Sequence, residues 1–459
     1  MRTAFLNLMK RLHLYIGLFA APFIFVAALT GTLYVLTPQL ENYFYREALT
    51  VTPEGEQKTL SAQITAARDY AGSTLKIYAV RPSPSAEQTT RVQFVSDVPR
   101  PSESRSVFVD PYTLQIKGDM TVYGTSGILP FRMWLDKLHQ GVLLGNIGRI
   151  YSELAASWLW VAVAGGIFLW WSGRSRHKAN KQKRGFVLFR YWHTTLGLFL
   201  AGGLFFFSVT GLTWSQWAGG NIDKMRSSLN WLTPQVSTQL AADAQPEVHD
   251  AHAEHHHSGM HHQGMEHGES INPPDGNWDS VLMSARLAGL TSAKIELRQP
   301  KAADRAWTVT EIDRSWPTQV DAVSVNPHDY SVIDHIHFEQ FPLIAKLTRW
   351  GIDAHMGILF GLPNQLILVA FGVGLCLMIA LGYRMWWIRR SAMAKGNPLD
   401  TICGVWNTLR LSQKLLVLSV VLPLSYLLPV MGGSLLVFLL IDIWRWRKLN
   451  QKQLAFGHQ

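Results

Sequence analysis

The constraint that dominates this sequence is the stretch from Leu14 to Leu40, which contains no charged residue and is too long for the core of a secretion signal. Similar runs recur at about Tyr151–Trp171, Thr194–Trp217 and Leu366–Ile388. A final pair, Leu415–Leu428 and Val430–Trp444, is hinged at Pro429-Val-Met-Gly-Gly. Backbone in lipid must satisfy its own hydrogen bonds, so such runs fold as membrane helices. Between them lie polar stretches of roughly a hundred residues, which explains why a chain that is 48% hydrophobic averages a mean hydropathy of only +0.06.

The expected class is therefore a polytopic α-helical membrane protein with six transmembrane helices and large water-exposed modules. The net charge of +10 does not point to nucleic acid. Basic residues cluster beside the apolar runs, as in Arg174-Ser-Arg-His-Lys-Ala-Asn-Lys-Gln-Lys-Arg, where they act as orientation signals facing the cytoplasm. Tryptophans at run ends (Trp170, Trp171, Trp214, Trp217, Trp386, Trp387, Trp444, Trp446) suit the lipid interface. The two cysteines form no C-x-x-C-H attachment site, so any haem would be held non-covalently.

This reading divides the chain into a first helix with cytoplasmic N-terminus (1–40), an α+β module (41–130) and an outer histidine segment with the second helix and basic loop (131–190). A third helix (191–217), a second module (218–342), an outer histidine segment with the fourth helix (343–390) and a terminal hairpin with basic tail (391–459) follow. Both modules face the periplasm, assuming a Gram-negative inner membrane, and both termini lie inside. In the first module Ser61–Tyr70 reads as a short helix. Gln93-Phe-Val and Ser106-Val-Phe-Val read as strands, closed by the turn Asp110-Pro-Tyr-Thr.

The two halves repeat one another. Arg11-Leu-His-Leu-Tyr-Ile-Gly-Leu-Phe, centred on His13, is echoed by Arg190-Tyr-Trp-His-Thr-Thr-Leu-Gly-Leu-Phe, centred on His193. Gly17 and Gly197 stand four residues on, and Thr30-Gly31 and Thr210-Gly211 close each match at a common offset. His139 and His355 are each followed by a glycine at six residues and a Trp-Trp pair at thirty-one, and each is preceded at twenty-nine by a turn, Asp110-Pro111 or Asn326-Pro327. The duplicated unit is thus helix, periplasmic α+β module, helix.

Duplication yields four equivalent histidines: His13 and His193 at the inner ends of helices, His139 and His355 at the outer approaches. Imidazole is an axial ligand of haem iron, and a porphyrin between helices needs small residues for close approach, here Gly17, Gly31, Gly197 and Gly211. The arrangement predicts two bis-histidine haem b groups, His13 with His193 and His139 with His355. The plainer alternatives are interfacial histidines and ordinary glycine packing. Copper or zinc is a further possibility for imidazole, but no carboxylate or thiol recurs beside these positions. Arg132 and Arg349 precede the outer histidines and are either partners for haem propionates or interface anchors.

The Leu-His-x-x-x-Gly-Leu-Phe openings, the Asp-Pro-Tyr-Thr turn, the Leu138-His-Gln-Gly segment and the duplicated halves resemble the PepSY-associated transmembrane-helix family, over roughly residues 1–390. That family includes iron-regulated membrane proteins and siderophore reductases such as the ferrioxamine reductase. The resemblance implies a haem-bearing inner-membrane oxidoreductase that passes electrons to periplasmic ferric siderophores, releasing ferrous iron, with His13, His139, His193 and His355 as the histidines carried over. The terminal hairpin and a histidine-rich insert depart from the family pattern.

The insert, within 249–267, contains His255, His256, His257, His261 and His262 with Met260 and Met265, a composition of either a metal-binding tract or a polar linker. In Asp334-His-Ile-His-Phe-Glu, strand alternation puts His335 and His337 on one face, as a metal or substrate site or as a solvated edge. No G-x-G-x-x-G, P-loop or flavin module occurs, so the electron donor would be membrane quinol or a separate cytoplasmic reductase. Beside the haem conduit stand two other classes: a metal transport or loading protein, which charged residues inside the spans would favour, and a non-catalytic periplasmic regulator.

Overall fold

The computed structural model describes residues 2–95, 102–173, 185–240, 277–393 and 401–456; the histidine-rich insert and the basic loop after Gly173 lie outside them. In chain order α1 (Arg2–Tyr15) runs through a π-helical turn (Ile16–Ala20) into α2 (Ala21–Val35), then α3 (Thr37–Phe44), α4 (Arg46–Leu49) and α5 (Leu60–Ala71). The strands β1 (Ile77–Arg81), β2 (Thr90–Val95), β3 (Glu103–Val109) and β4 (Ile116–Tyr123) follow. Next come α6 (Pro130–Gly141), α7 (Gly145–Gly173), α8 (Phe186–Thr213), α9 (Trp217–Ser228) and α10 (Trp278–Leu287). The strands β5 (Ile295–Arg298), β6 (Trp307–Glu311), β7 (Ala322–Val325) and β8 (Val332–Ile336) precede α11 (Leu343–His355), α12 (Leu362–Met393), α13 (Ile402–Asn407), α14 (Leu411–Leu427) and α15 (Pro429–Phe456).

These elements fall into two compact units, a helical one (Met1–Leu33, Lys137–Lys224, Leu366–Gln459) and a sheet one (Tyr34–Asp136, Met225–Gln365). Five helical segments among the described residues are long and apolar enough to cross a membrane: Ala4–Val35, Gly145–Gly173, Phe186–Thr213, Leu362–Arg390 and Pro429–Gln451. Within the helical unit, Ile16, Ile24, Trp158, Leu200, Leu204, Leu375 and Phe438 share one core. The expected sixth span is α14, which has 17 residues and an internal Pro423. At about 1.5 Å per residue it falls short of the roughly 30 Å hydrocarbon core. The third span also differs, because α8 begins at Phe186 and so places His193 inside the helix rather than at its mouth.

The sheet unit consists of two successive helix-plus-four-strand segments, α5 with β1–β4 and α10 with β5–β8, joined in one antiparallel eight-stranded sheet ordered β4-β3-β2-β1-β5-β6-β7-β8. Alternation along the strands sends Val92 and Phe94, Val107 and Val109, Trp307 and Val309, and Val323 and Val325 into a core covered by Leu60, Ile64 and Ala67 of α5 and Trp278, Val281 and Ala285 of α10. Asp279 of α10 accepts the Leu60 and Ser61 amides, at 2.7 and 3.2 Å, and so ties the two helices together at the start of α5.

The two anticipated turns form in the same manner. Asp110 Oδ1 accepts the Tyr112 amide at 2.8 Å, and Asn326 Oδ1 accepts the His328 amide at 3.0 Å. Each ends in a residue with positive φ, Leu114 (62°) and Tyr330 (57°), whose amide returns to the carbonyl of the turn's first residue. At the sheet centre, Glu296 of β5 accepts from Arg81 of β1 and from Arg298, both at 2.7 Å.

Candidate functional site

In the helical unit, His13 lies in the last turn of α1 and His193 in the second turn of α8. Their rings approach with centroids 6.4 Å apart at 80°. His193 Nδ1 is 2.9 Å from the Met378 carbonyl of α12. His13 Nδ1 is buried beside the Ala162 carbonyl of α7 without closing a hydrogen bond of ordinary geometry.

Glycines of neighbouring helices floor both rings. A Cβ on Gly166 would sit 3.4 Å from His13 Cε1, and one on Gly382 would sit 3.4 Å from His193 Cε1. Gly165 lies beside His13 as well, at 3.6 Å from Nδ1. Gly17, placed in the π-helical turn, has nothing within 4 Å, and Gly197 abuts Met378 Sδ at 3.2 Å instead. The sequence carried a signal for the true neighbours. Gly166 and Gly382 each stand twenty-seven residues after an outer histidine, and Ala162 and Met378 each stand twenty-three after it.

His139, in α6, places Nδ1 3.0 Å from Thr30 Oγ1, and its Cε1 lies 3.1 Å from where a Cβ on Gly31 would stand. The Thr30-Gly31 pair singled out by the repeat is therefore a seat for His139. Thr210 Oγ1 instead donates to the Phe206 carbonyl at 2.8 Å, and Gly211 packs against Ala156. His355 ends α11 in the sheet unit, whereas His139 belongs to the helical one, so the expected outer pairing joins residues of different units.

The spacing of the inner pair suits a bis-histidine haem. Two imidazoles that ligate one metal from opposite sides, with bonds of about 2.0–2.1 Å, hold their centroids roughly 6 Å apart, and 6.4 Å fits that spacing. A ligating histidine ordinarily directs its second ring nitrogen to a carbonyl or carboxylate, as His193 does toward Met378. The two imidazoles, with glycine beneath each ring, are a donor pair that fits a haem.

Carboxylates inside the spans have other employment. Asp442 of α15 is fully buried, accepts from Tyr15 Oη, and takes the Ile402 and Cys403 amides at the start of α13 at 3.0 and 2.7 Å. Glu153 of α7, equally buried, takes the Trp217 and Ala218 amides at the start of α9 at 2.9 and 3.1 Å. Both cap short helices, satisfying free N–H groups where no water reaches.

The sheet unit contains a cleft of ≈1280 Å³ whose lining is strongly basic: Arg91, Arg132, Arg298, Arg305, Arg314, Arg349, Lys294 and Lys301 outnumber Glu41, Glu296, Glu311 and Asp313. Arg132 lies over the Tyr34 ring at 4.7 Å and 3.8 Å from Glu41. Two of its buried nitrogens, Nε and Nη2, lack partners. Arg349 faces Asp353 at 3.3 Å, and Arg314 Nε donates to the same carboxylate at 2.6 Å. Burial, with Arg314 beside it, pushes the Arg349 guanidinium down to about 10, and burial with Arg81 does the same to Arg91. Burial pushes the Glu41 carboxyl up despite Arg132. Arg132 and Arg349 therefore belong to internal ion pairs as well as to the cleft wall.

At the sheet's edge, His335 and His337 share a face, with ring centroids 3.9 Å apart. His337 Nδ1 lies 2.9 Å from Asp321 Oδ2, a neighbour that reading β8 alone could not supply. Donor atoms of Asp321, His335 and His337 all lie within 4.8 Å of one another.

No curated protein matches the chain at a significant level. The family model described as "PepSY-associated TM region" matches residues 10–389, which include both inner and both outer histidines and every strand of the sheet. With five candidate spans and a match over most of its length, this chain is a multi-pass membrane protein and belongs to the PepSY-associated TM family.

Proposed function

We propose that this protein is a haem b oxidoreductase of a bacterial inner membrane that moves electrons outward to periplasmic ferric siderophores or related chelates, releasing ferrous iron. The single observation that carries the reading is the His13–His193 pair, with rings 6.4 Å apart on two different spans and glycine beneath each. In this reading the halves are a duplicated unit, α14, short at 17 residues, completes a sixth crossing where the bilayer thins locally, both termini are cytoplasmic and both modules are periplasmic. His13 and His193 hold the inner haem, and His139 and His355 hold the outer one. Haem, when bound, supplies a one-electron carrier in an apolar surrounding.

The chain's own share is to set the ligands and to receive the acceptor. Met378 orients His193 and Thr30 orients His139. The basic cleft supports an anionic chelate as the acceptor, since a wall of arginine concentrates and orients negative charge. Electrons enter from quinol or from a separate cytoplasmic reductase. The reading also accounts for buried Asp442 and Glu153 without ion transport, because both are consumed as helix caps.

A pyridine haemochrome spectrum of detergent-purified protein is expected to give two haems b per chain. His13→Ala and His193→Ala should each remove one. Dithionite-reduced protein should reoxidise on adding ferric chelates. Protein that stays colourless under adequate haem supply overturns the reading, and haem that no chelate reoxidises overturns the assignment of acceptor.

A further inference from the structure

We propose that Asp321, His335 and His337 form a binding site for a first-row divalent transition-metal ion at the edge of the sheet. Strand β8 is the last strand of the sheet, paired antiparallel with β7 so that Val323 faces His335 and Ala322 faces Ile336. The next step of that register sets Asp321 opposite His337. Residues two apart on a strand share a face, so both imidazoles and the carboxylate converge on the same side.

The distances suit ligation. Two ligands at right angles on one ion, with bonds of about 2.1 Å, stand about 3 Å apart, and His337 Nδ1 lies 2.9 Å from Asp321 Oδ2. All three donors fall within 4.8 Å of one another. Among the described residues the buried His335 Nε2 has no hydrogen-bond partner, a costly condition that a metal ion removes. A His–Asp hydrogen bond at a solvated edge would explain His337 and Asp321 but leaves that nitrogen unexplained.

The first module provides a comparison within the same chain. His139 and His355 are 216 residues apart, and the same shift carries Asp321, His335 and His337 onto Arg105, Asp119 and Thr121. Strands β3 and β4 pair Arg105 with Thr121 and Val107 with Asp119, matching the register of β7 and β8. At that corner Arg105 Nη2 bonds Asp119 Oδ2 at 2.6 Å, so the first module fills the position with its own cation. The second module has no basic residue at the corresponding three positions and presents a carboxylate with two imidazoles instead.

Two imidazoles and one carboxylate exclude magnesium and calcium, which take oxygen donors, and select iron(II), cobalt, nickel, copper or zinc. Among the described residues these three side chains are the donors, which leaves coordination positions for water or for a ligand of the incoming ion. The proposal does not depend on haem.

The test uses the full chain in detergent with the histidines of the 249–267 tract changed to serine, which removes their background. Zn²⁺ is titrated against a chromophoric chelator. One zinc per chain is expected, with affinity falling at least tenfold in Asp321→Asn, in His335→Ala and in His337→Ala, and unchanged in Arg105→Ala. The His337 side chain is 44% exposed against 27% for Asp321, so its variant keeps the test valid if His335→Ala fails to fold. Absence of stoichiometric zinc in the parent, or equal affinity in folded Asp321→Asn and His337→Ala, overturns the site. Haem content, read on the same samples, tests the proposed function separately.

Discussion

Glu296→Gln is the sharpest test of what joins the two modules. Strands β1 and β5 meet through one registered pair, Val80 with Leu297, so the seam relies on side chains. Glu296 there accepts from Arg81 Nε at 2.7 Å and Nη2 at 2.6 Å, and from Arg298 Nε at 2.7 Å. The side chains of Glu296 and Arg81 are only 6% and 9% exposed, so water cannot replace the lost charge. Breaking a buried pair by neutralising one partner costs about 3–5 kcal/mol. Glutamine keeps one acceptor oxygen, and Arg81 keeps the Thr125 and Ser126 carbonyls, which argues for the lower end, about 3 kcal/mol. That corresponds to roughly a hundredfold change in an opening equilibrium.

Hydrogen exchange read by mass spectrometry on the peptides containing β1 and β5 should therefore show protection falling by about two decades, with α7 and α8 unaffected. Although burial opposes it, the Arg81 and Arg298 guanidinium groups hold the Glu296 carboxyl below its usual value. The stabilisation is thus complete above the ordinary carboxylate range and is lost only as pH falls through the lowered folded value; the variant lacks that acid limb. Replacing Arg81 and Glu296 together with Met and Leu should cost less than Glu296→Gln alone. Protection unchanged within threefold in Glu296→Gln would refute the assignment of the seam to this triad.

Gly31→Val would drive a branched side chain into His139, whose Cε1 is already 3.1 Å from a Cβ position, and should lower haem from two equivalents toward one by pyridine haemochrome. Asp442→Asn should cost about 1.5–3 kcal/mol through weakened charge-assisted bonds to the α13 amides, lowering the thermal midpoint while leaving haem content and chelate reduction intact; loss of activity at normal stability would instead point to a transport role. Lys301→Gln with Arg305→Gln should slow reduction of anionic ferric chelates about three- to tenfold at low ionic strength and much less at high salt, measured by stopped-flow reoxidation.

Much of the architecture is readable from local chemistry. Asp110 and Asn326 announce their turns because each side chain closes a hydrogen bond two residues on, and strand alternation places Val107 and Val109 in the core. The inner histidine pair is legible for a similar reason, since matched offsets survive whatever the intervening loops do. The partners of those histidines are not. Gly17 and Gly197 share a helix with His13 and His193, yet a ring is floored by a neighbouring helix, so Gly166 and Gly382 could be found only by extending the repeat register across the chain. Asp321 escaped because its role depends on the pairing of β7 with β8, which no property of the His335–His337 segment encodes. Asp442, a carboxylate within the last span, is explained only once α13 folds back to offer its free amides.

The π-helical turn at Ile16–Ala20 separates two helices that the repeat makes look alike. Eighteen residues divide His13 from Gly31 and His193 from Gly211, about five full turns of α-helix, so both pairs would line up along a single stripe. In α8 the helix is unbroken, and His193 faces α12 while Gly211 packs against Ala156 of α7. In the first span the wider turn unwinds the chain by roughly a quarter revolution, and His13 faces α7 while Gly31 faces α6. The corresponding histidines and glycines of the two spans therefore meet different neighbouring helices.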